Sequence, residues 1–332
     1  MKRALSFVVA IAVAFCALFT ACAKQTMLSQ SAPLIGIAWC PDTDSEFFTN
    51  VCRSIEAAGG AWVMLDQVKS PYLSYDANGK LSDGVDETGV LGLAAAEYVR
   101  DNTWHESNAA EAVGNIRLVI FAGGSDVSPS LYYTPEEWHG IEVERDYCAE
   151  RDVSDYLTMA YCLDNDIPII GFCRGMQMLS VISGADVIQD IQTWLEEDSI
   201  EYHYEHRNEI NPTDSYRDYA SHSIQVIKGS LLYEMVQTEE LSGCPSWHHQ
   251  AVKSVENTPL SVSGYADTNG VYIIEAIERT DKAFAVGLQF HPEAAIVKHL
   301  DQAANRNDFM DYDTAISIFK RLVEEAANRE SN

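Results

Sequence analysis

The sequence predicts an α/β fold, a three-layer sandwich with a mainly parallel central sheet and a small antiparallel extension. Through the first half of the 332-residue chain, short apolar runs alternate with amphipathic stretches. That order is typical of right-handed βαβ crossovers, which produce a parallel sheet covered on both faces. Later apolar runs follow one another without intervening helices, and they predict the antiparallel extension.

The predicted elements follow in chain order. Strands are expected at residues 34–39, 61–65, 117–121 and 167–172, alternating with helices at 46–58, at 94–99 or 106–113, at 152–163 and at 176–183. The antiparallel extension takes the runs at 223–227, 272–277 and 285–290, and a helix at 311–326 closes the fold. On length alone the body could form one large or two small domains. The order of elements favours one, which we place at residues 33–330.

Two stretches interrupt this pattern. Residues 70–90 are rich in turn-forming residues and predict a surface excursion. Residues 192–220 are polar, aromatic and acidic, which is typical of a lid or a pocket rim.

Cys173 is the first candidate catalytic residue. It lies where the apolar run 167–172 ends, between Gly171 and Gly175, and an amphipathic stretch follows. Two glycines at this spacing permit the tight strand-to-helix turn that exposes a nucleophile above a sheet. A thiol at a helix N-terminus is also favoured as the thiolate, because the helix dipole and the free backbone N–H groups stabilise negative charge. The pattern therefore predicts a cysteine nucleophile.

His291 and Glu293 are the predicted partners of this thiol. They follow the apolar run 285–290, and period-two alternation along a strand would place both on one side of the backbone. In this interpretation His291 takes the proton of Cys173 and later gives it to the leaving amine. Glu293 holds the imidazole in one tautomer and stabilises its charged form.

Together with Gly123 and Gly124, which follow the apolar run 117–121, these residues resemble the class I glutamine amidotransferase superfamily. The resemblance implies a flavodoxin-like sandwich. It also implies an oxyanion hole at the Gly123–Gly124 loop, with one backbone N–H from Gly124 and another from Arg174, the residue after the nucleophile. Preorganised donors of this kind contribute about 3–4 kcal/mol each to transition-state stabilisation.

Further motifs resemble the γ-glutamyl-γ-aminobutyrate hydrolase-like branch, from about residue 34 to the C-terminal helix. They lie at residues 151–152, 173–177, 184, 189–191, 222–224 and 246–251. The resemblance implies that Gln177 holds the α-amino acid end of the substrate and that His248 and Gln250 line the same pocket. Because His248 and His249 are adjacent, only one of them can face a pocket from an extended strand, and we favour His248.

No metal, nucleotide or organic cofactor is expected. His203 and His206 lie in loop-like surroundings, and no set of three ligands can be named around them. The Gly123–Gly124 stretch lacks the lysine and the longer glycine spacing of a phosphate-binding loop. Asp126, just after it, either orients the oxyanion loop or caps a following helix.

The N-terminus has the layout of a bacterial export signal. Lys2 and Arg3 precede an apolar run at residues 4–18, shorter than the roughly 20 residues of a membrane span, and small residues lead to Cys22. We therefore expect residues 1–22 to be a lipoprotein-type signal peptide and Cys22 to be lipidated. Cleavage by the ordinary signal peptidase stays open. In either case the protein is exported, and any membrane contact is through the lipid anchor.

The charge of the chain limits the classes of macromolecule that it could bind. The chain has 50 acidic and 22 basic side chains and a formal charge of −28, so nucleic acid and anionic lipid are poor partners. Five cysteines remain once the signal peptide, the anchor and the nucleophile are set aside. They are Cys40, Cys52, Cys148, Cys162 and Cys244. Five is odd, so at least one thiol stays free, and whether any of them pair is open.

The sequence thus predicts an exported cysteine hydrolase that cleaves a small γ-glutamyl amide through a thioester. Three alternatives stay open: a glutaminase or amidotransferase component, a hydrolase of folyl-poly-γ-glutamates or γ-linked cell-wall peptides, and a lipoprotein that binds γ-glutamyl compounds without turnover. A glutaminase that supplies ammonia must dock on a cytoplasmic synthase, so export favours a stand-alone hydrolase. The amine half of the substrate and the oligomeric state stay open, with a homodimer as one option.

Overall fold

The computed structural model describes residues 32–209 and 218–328. The strands in these residues form one sheet of 11 strands. Its strands are β1 Leu34–Ile37, β2 Ala61–Met64, β3 Val119–Phe121, β4 Ile169–Phe172, β5 Val187–Ile188, β6 Ala220–Val226, β7 Glu240–Ser246, β8 Ala251–Val252, β9 Leu260–Thr268, β10 Val271–Arg279 and β11 Ala285–Leu288. They are arranged in the order β2-β1-β3-β4-β11-β10-β9-β6-β7, with β5 paired to β8 and β8 to β10. The first five strands of this order are parallel. The strands beyond β11 pair antiparallel.

Helices cover both faces of the parallel strands. They are α1 Glu46–Ala57, α2 Leu93–Asn102, α3 Ala109–Val113, α4 Ala149–Asp164, α5 Arg174–Ile182, α6 Ile191–Glu197, α7 Leu231–Val236, α8 Pro292–Leu300 and α9 Tyr312–Asn328. The apolar sides of α1, α8 and α9 pack on one face of the sheet, and those of α2, α3, α4 and α5 pack on the other.

The alternation of side chains along the central strands explains this three-layer arrangement. In β4, Ile170 and Phe172 join the core on the α9 side, whereas Ile169 joins the core on the α4 side. Phe172 stacks on Phe319 of α9 with ring centroids 5.4 Å apart. Because every residue of β4 is buried, the strand is apolar throughout, as expected for a parallel strand covered on both faces.

The predicted fold class is confirmed, and the differences are local. Both alternative helices between β2 and β3 form, as α2 and α3. The run at 285–290 was assigned to the antiparallel extension, which is wrong: it forms β11, which pairs parallel with β4 and antiparallel with β10, because the chain returns to the centre of the sheet after β10. The extension itself includes β5, β7, β8 and β9, which were not predicted. These strands are short or partly exposed, so they lack a long apolar run; β9, for example, has buried, partly exposed and exposed positions in no regular alternation and contains Gly264.

Two further findings concern the described residues. No helix among them is long and apolar enough to cross a membrane. No disulfide bond joins any of their cysteines, and Cys52 and Cys162 lie in the core as small buried side chains. The predicted signal peptide at residues 1–22 and the lipidation site Cys22 lie outside the described residues.

Candidate active site

Cys173 lies on a strained turn between β4 and α5. Its backbone has φ 48° and ψ −104°, a left-handed conformation that costs free energy in a residue other than glycine. A Cβ atom on Gly171 would collide with the backbone of Gly175, and one on Gly175 would collide with the carbonyl of Phe121. The two glycines therefore allow α5 to approach β4 and β3 closely enough for this turn to form. The geometry is that of a nucleophile elbow.

His291 and Glu293 meet at the start of α8. Strand β11 ends at Leu288, and Pro292 opens the helix, so His291 is the residue that precedes the first turn and Glu293 lies within it. The expected strand alternation across these residues is therefore wrong, because a proline at the first helical position begins a helix there. The contact is made nonetheless. Nδ1 of His291 lies 2.6 Å from a carboxylate oxygen of Glu293, and both side chains are fully buried.

The electrostatics of His291 favour its charged form. Burial disfavours the imidazolium, but the Glu293 carboxylate and the Cys173 sulfur outweigh burial and raise the pKa of His291 to about 10. Because Nδ1 is held by Glu293, Nε2 is the nitrogen left for the thiol. The structure thus brings Cys173, from the turn after β4, together with His291 and Glu293, from the start of α8. The ring of Phe47 packs against the imidazole with centroids 5.1 Å apart, and Tyr219 packs at 5.4 Å.

The Gly123–Gly124 loop lies beside this group. Gly123 approaches the imidazole so closely that a Cβ atom there would lie 2.9 Å from Cε1 of His291. Gly124 has φ +144°, and a Cβ atom on it would collide with the guanidinium of Arg151. Arg151 also donates a 2.8 Å hydrogen bond to the carbonyl of Ala122. It therefore holds the loop from the other side, a role that the sequence did not reveal.

Arg174 begins α5, where backbone N–H groups have no acceptor inside the helix. Its side chain points away from the pocket and is fully buried, with ion pairs to Asp152, at 2.6 Å, and to Asp155. The backbone and the side chain of Arg174 therefore have separate tasks. The guanidinium fastens the elbow to α4, and the backbone N–H at the start of α5 is the predicted oxyanion donor.

A cavity of about 450 Å³ opens above Cys173. Gln177, His248 and Gln250, the three predicted substrate-binding residues, all border it. Gln177 donates to Gln289 at 3.5 Å. The terminal amide atoms of Gln250 are buried and make no hydrogen bond of ordinary geometry with the described residues. An amide buried without such a bond at a pocket wall is available to a ligand.

Both His248 and His249 border the cavity, whereas we expected only one of them, His248, to face it. Strand β7 ends at Ser246, so these residues lie in a loop and do not alternate. The His249 imidazole lies between Asp126, at 3.1 Å, and Asp190, at 3.2 Å. Asp126 therefore neither caps a helix nor contacts the oxyanion loop through its side chain; it pairs with His249.

The imidazole of His248 turns the other way, toward Glu275 of β10. His206 and His222 approach the same carboxylate. From the sequence we expected no metal site near His206, because no set of three ligands could be named. In the folded chain such a set exists, since two further histidines and Glu275 lie beside His206. Glu275 was missed altogether, although an acidic residue inside the mostly apolar run of β10 is a usable signal, since a fully buried carboxylate requires partners.

Comparison with known proteins agrees with this geometry. Residues 92–293 match the family Peptidase C26. The chain belongs to the peptidase C26 family. That assignment confirms the class I glutamine amidotransferase-like superfamily, and the matched region includes the elbow, the glycine pair and the His291–Glu293 contact.

The relatives of this peptidase C26 protein include NtpR of Enterococcus hirae, which is 30% identical over 190 residues, covering 56% of this chain and 70% of that protein. A γ-glutamyl-γ-aminobutyrate hydrolase of Escherichia coli O157:H7 is 29% identical over 169 residues, covering 51% of this chain and 60% of the hydrolase. The family and these relatives support a hydrolase of the glutamine amidotransferase type.

Among solved structures, the glutaminase domain of Trypanosoma brucei CTPS with bound acivicin aligns over 90% of this chain and 94% of its own, with 14% identity and a TM-score of 0.46. A likeness this remote adds nothing about the activity of the peptidase C26 protein.

Proposed function

We propose that the protein is a cysteine hydrolase that cleaves γ-glutamyl amide bonds. The observation that carries the proposal is the buried contact between His291 and Glu293 beside a cysteine on a strained elbow. A thiol, an imidazole and an orienting carboxylate in this relation form the machinery of acyl transfer through a thioester. A pure binding protein has no use for such a group.

Charges in the pocket support a glutamyl group as the acyl half of the substrate. Arg151 and Arg207 border the cavity and suit an α-carboxylate. Asp146 borders it as well, and burial together with the nearby Asp126 raises the pKa of its carboxyl. Because a cation stabilises a carboxylate that is partly buried beside a second carboxylate, a ligand ammonium at this position is favoured. Cations and anions on one pocket wall match the zwitterionic end of a glutamyl group.

The reaction then follows in two halves. The Cys173 sulfur attacks the γ-carbonyl carbon, and its proton passes to Nε2 of His291. The oxyanion is stabilised by the backbone N–H groups of Gly124 and Arg174. Collapse of the intermediate expels the amine, which takes the proton from His291, and leaves a thioester on Cys173. Water, deprotonated by His291, attacks the thioester; the carbon–sulfur bond breaks, which releases glutamate, and the proton on His291 returns to the Cys173 sulfur.

Hydrolysis of L-γ-glutamyl-p-nitroanilide tests the proposal. We expect release of nitroaniline by the full chain and no detectable release by Cys173→Ala, with unchanged unfolding curves. Cys148→Ala is the matched control, because Cys148 also borders the cavity but has no histidine partner in the mechanism. It is expected to retain most of the activity.

The same assay separates the alternatives. Ammonia released from free glutamine faster than amine from γ-glutamyl amides would favour a glutaminase, and preference for oligomeric γ-glutamyl chains would favour a poly-γ-glutamate or cell-wall peptide hydrolase. Wild-type protein that binds γ-glutamyl compounds but releases no product would leave only the binding role. Equal activity in Cys173→Ala and the wild type would refute the mechanism.

A further inference from the structure

Three histidines and a glutamate form a buried cluster behind the pocket wall. His206 precedes β6, His222 lies in β6, His248 lies in the loop after β7, and Glu275 lies in β10. One potential ligand atom from each residue lies within 4.8 Å of all the others, and no other group of this kind is found in the described part of the chain. Side-chain exposure is at most 7% for these residues. The fold therefore gathers four distant positions around one point.

The outward nitrogen of each imidazole has an oxygen partner. Nδ1 of His248 lies 2.8 Å from the carbonyl of Gln250, and Nδ1 of His222 lies 3.4 Å from the carbonyl of Ser223. Nε2 of His206 lies 2.8 Å from the hydroxyl of Thr268. A carbonyl can only accept, so the proton of a neutral ring is held on Nδ1 in His248 and His222. Their Nε2 atoms then present lone pairs to the centre of the cluster.

The inward atoms are the ones without conventional hydrogen bonds. Nδ1 of His206, Nε2 of His222, Nε2 of His248 and both carboxylate oxygens of Glu275 have no such partner among the described residues. Lone pairs that converge on a buried carboxylate repel it, and a cation is needed to make the arrangement stable. Protonation of one histidine would satisfy one nitrogen and leave the other two facing an anion. A metal ion satisfies all four groups at once.

The spacing also fits a metal ion. One carboxylate oxygen of Glu275 lies 3.1 Å from His206, 3.4 Å from His248 and 3.7 Å from His222. In a tetrahedral zinc site with metal–nitrogen distances of about 2.0–2.1 Å, neighbouring ligand atoms are about 3.3 Å apart. The three oxygen–nitrogen distances from Glu275 lie on either side of this value. Outward nitrogens tied to oxygen acceptors are likewise the usual second shell of a metal-bound histidine.

We propose that His206, His222, His248 and Glu275 bind one divalent transition-metal ion, preferentially Zn²⁺, in a closed tetrahedral site. Four protein ligands leave no position for substrate or water, so the ion has a structural task. It joins the segment around His206 to β6, β10 and the loop after β7. The proposal is independent of the reaction proposed above.

The ion would stabilise one wall of the pocket. Arg207, next to His206, lies over the ring of Trp247 at 5.7 Å and forms a 3.0 Å ion pair with Glu144. Trp247, next to His248, has its carbonyl 3.8 Å from the Cys173 sulfur. Metal binding would therefore order the part of the wall that carries Arg207 and Trp247, without contacting the thiol.

Metal content and thermal stability test the site in untagged full-length protein. After chelation and dialysis, the wild type is expected to take up one equivalent of Zn²⁺, measured by mass spectrometry of the metal, and its Tm is expected to rise with Zn²⁺ and fall again with chelator. His206→Gln and Glu275→Gln should each lower the affinity at least tenfold. His203→Gln is the matched control, since His203 is in the same segment but exposed, and it should bind as the wild type does.

Co²⁺ provides a second measurement that does not depend on the variants folding. Bound to the wild type, it is expected to give the intense visible absorption of tetrahedral coordination, which Zn²⁺ displaces. Sub-stoichiometric Zn²⁺ binding by the wild type, a Tm insensitive to Zn²⁺, or uptake that is equal in Glu275→Gln and His203→Gln would overturn the proposal. In each of those cases the cluster is a metal-free ion pair.

Discussion

Asp152 accepts a 2.6 Å hydrogen bond from the fully buried guanidinium of Arg174, the residue that follows Cys173. Asp155 binds the same guanidinium, and Arg151 lies 3.5 Å from Asp155. The turn that presents the thiol is thus fastened from below by a buried ionic network. The neighbouring Arg151 also holds the Gly123–Gly124 loop, so the elbow and this loop depend on one set of charges.

Arg174→Met is expected to lower the free energy of unfolding by about 3–5 kcal/mol, because it leaves Asp152 buried without its cation. Urea denaturation followed by circular dichroism measures this loss. Adding Asp152→Asn to Arg174→Met should recover part of it, since the uncompensated charge is then removed. A loss below about 1 kcal/mol in the single variant would contradict a stabilising network.

Glu293→Gln is expected to lower kcat on a γ-glutamyl anilide by about 10³- to 10⁴-fold, because the imidazole loses the carboxylate that fixes its tautomer and stabilises its charge. KM should change little, since Glu293 does not border the pocket. Glu324→Gln, in α9, serves as the control and should be fully active. Wild-type kcat in Glu293→Gln would exclude Glu293 from the mechanism.

Iodoacetamide should alkylate Cys173 well before Cys148 at neutral pH. Both thiols border the cavity, but burial raises the pKa of Cys148 to about 11, which leaves almost no thiolate there. Cys173 has His291 to accept its proton. Peptide mapping after brief labelling measures the two sites, and His291→Asn should slow labelling at Cys173 alone. Modification of Cys148 with Cys173 untouched would argue against the assigned nucleophile.

The contribution of His249 to stability should be lost as the pH rises into the alkaline range. Burial disfavours its charged form, but Asp126 and Asp190 raise the pKa of His249 from 6.5 to about 9. A raised histidine pKa stabilises the folded state fully below the unfolded value, and the contribution is lost as the pH rises through the folded value. We expect up to about 3 kcal/mol to be lost between these limits. Urea unfolding at several pH values should show a flatter profile for His249→Gln. Parallel profiles for the wild type and His249→Gln would contradict a raised pKa for His249. Because both proteins contain His291, its contribution cancels in the comparison.

Cys22→Ala is expected to release the protein from the bacterial membrane or to stall its processing, because two or three acyl chains hold a lipoprotein firmly whereas an unmodified chain has no such anchor. Membrane fractionation and intact-mass analysis measure this, with Cys16→Ala as a control within the apolar run. Equal solubility of the wild type and Cys22→Ala, with cleavage after Ala23, would instead indicate a freely secreted enzyme.

The local sequence was sufficient for the features that depend on neighbouring residues. The apolar runs of β1, β3 and β4 indicate strands buried on both faces. The glycines around Cys173 indicate a sharp turn. Both features can be read from neighbouring residues in the sequence. The fold class and the position of the elbow could therefore be predicted. The end of β11 was predicted wrongly. We expected the strand to continue through Glu293, but Pro292 begins a helix there.

Contacts between distant segments were decided only by the tertiary structure. Arg151 supports the Gly124 loop, His249 joins Asp126 to Asp190, and the histidine–glutamate cluster draws on four separate segments. Several of these residues lie in motifs that the sequence analysis singled out, but the motifs do not say which residues contact one another. A buried charge is stabilised by whichever partners the packed chain brings within a few ångströms, and that proximity is set by the order of strands in the sheet, which one-dimensional patterns do not contain.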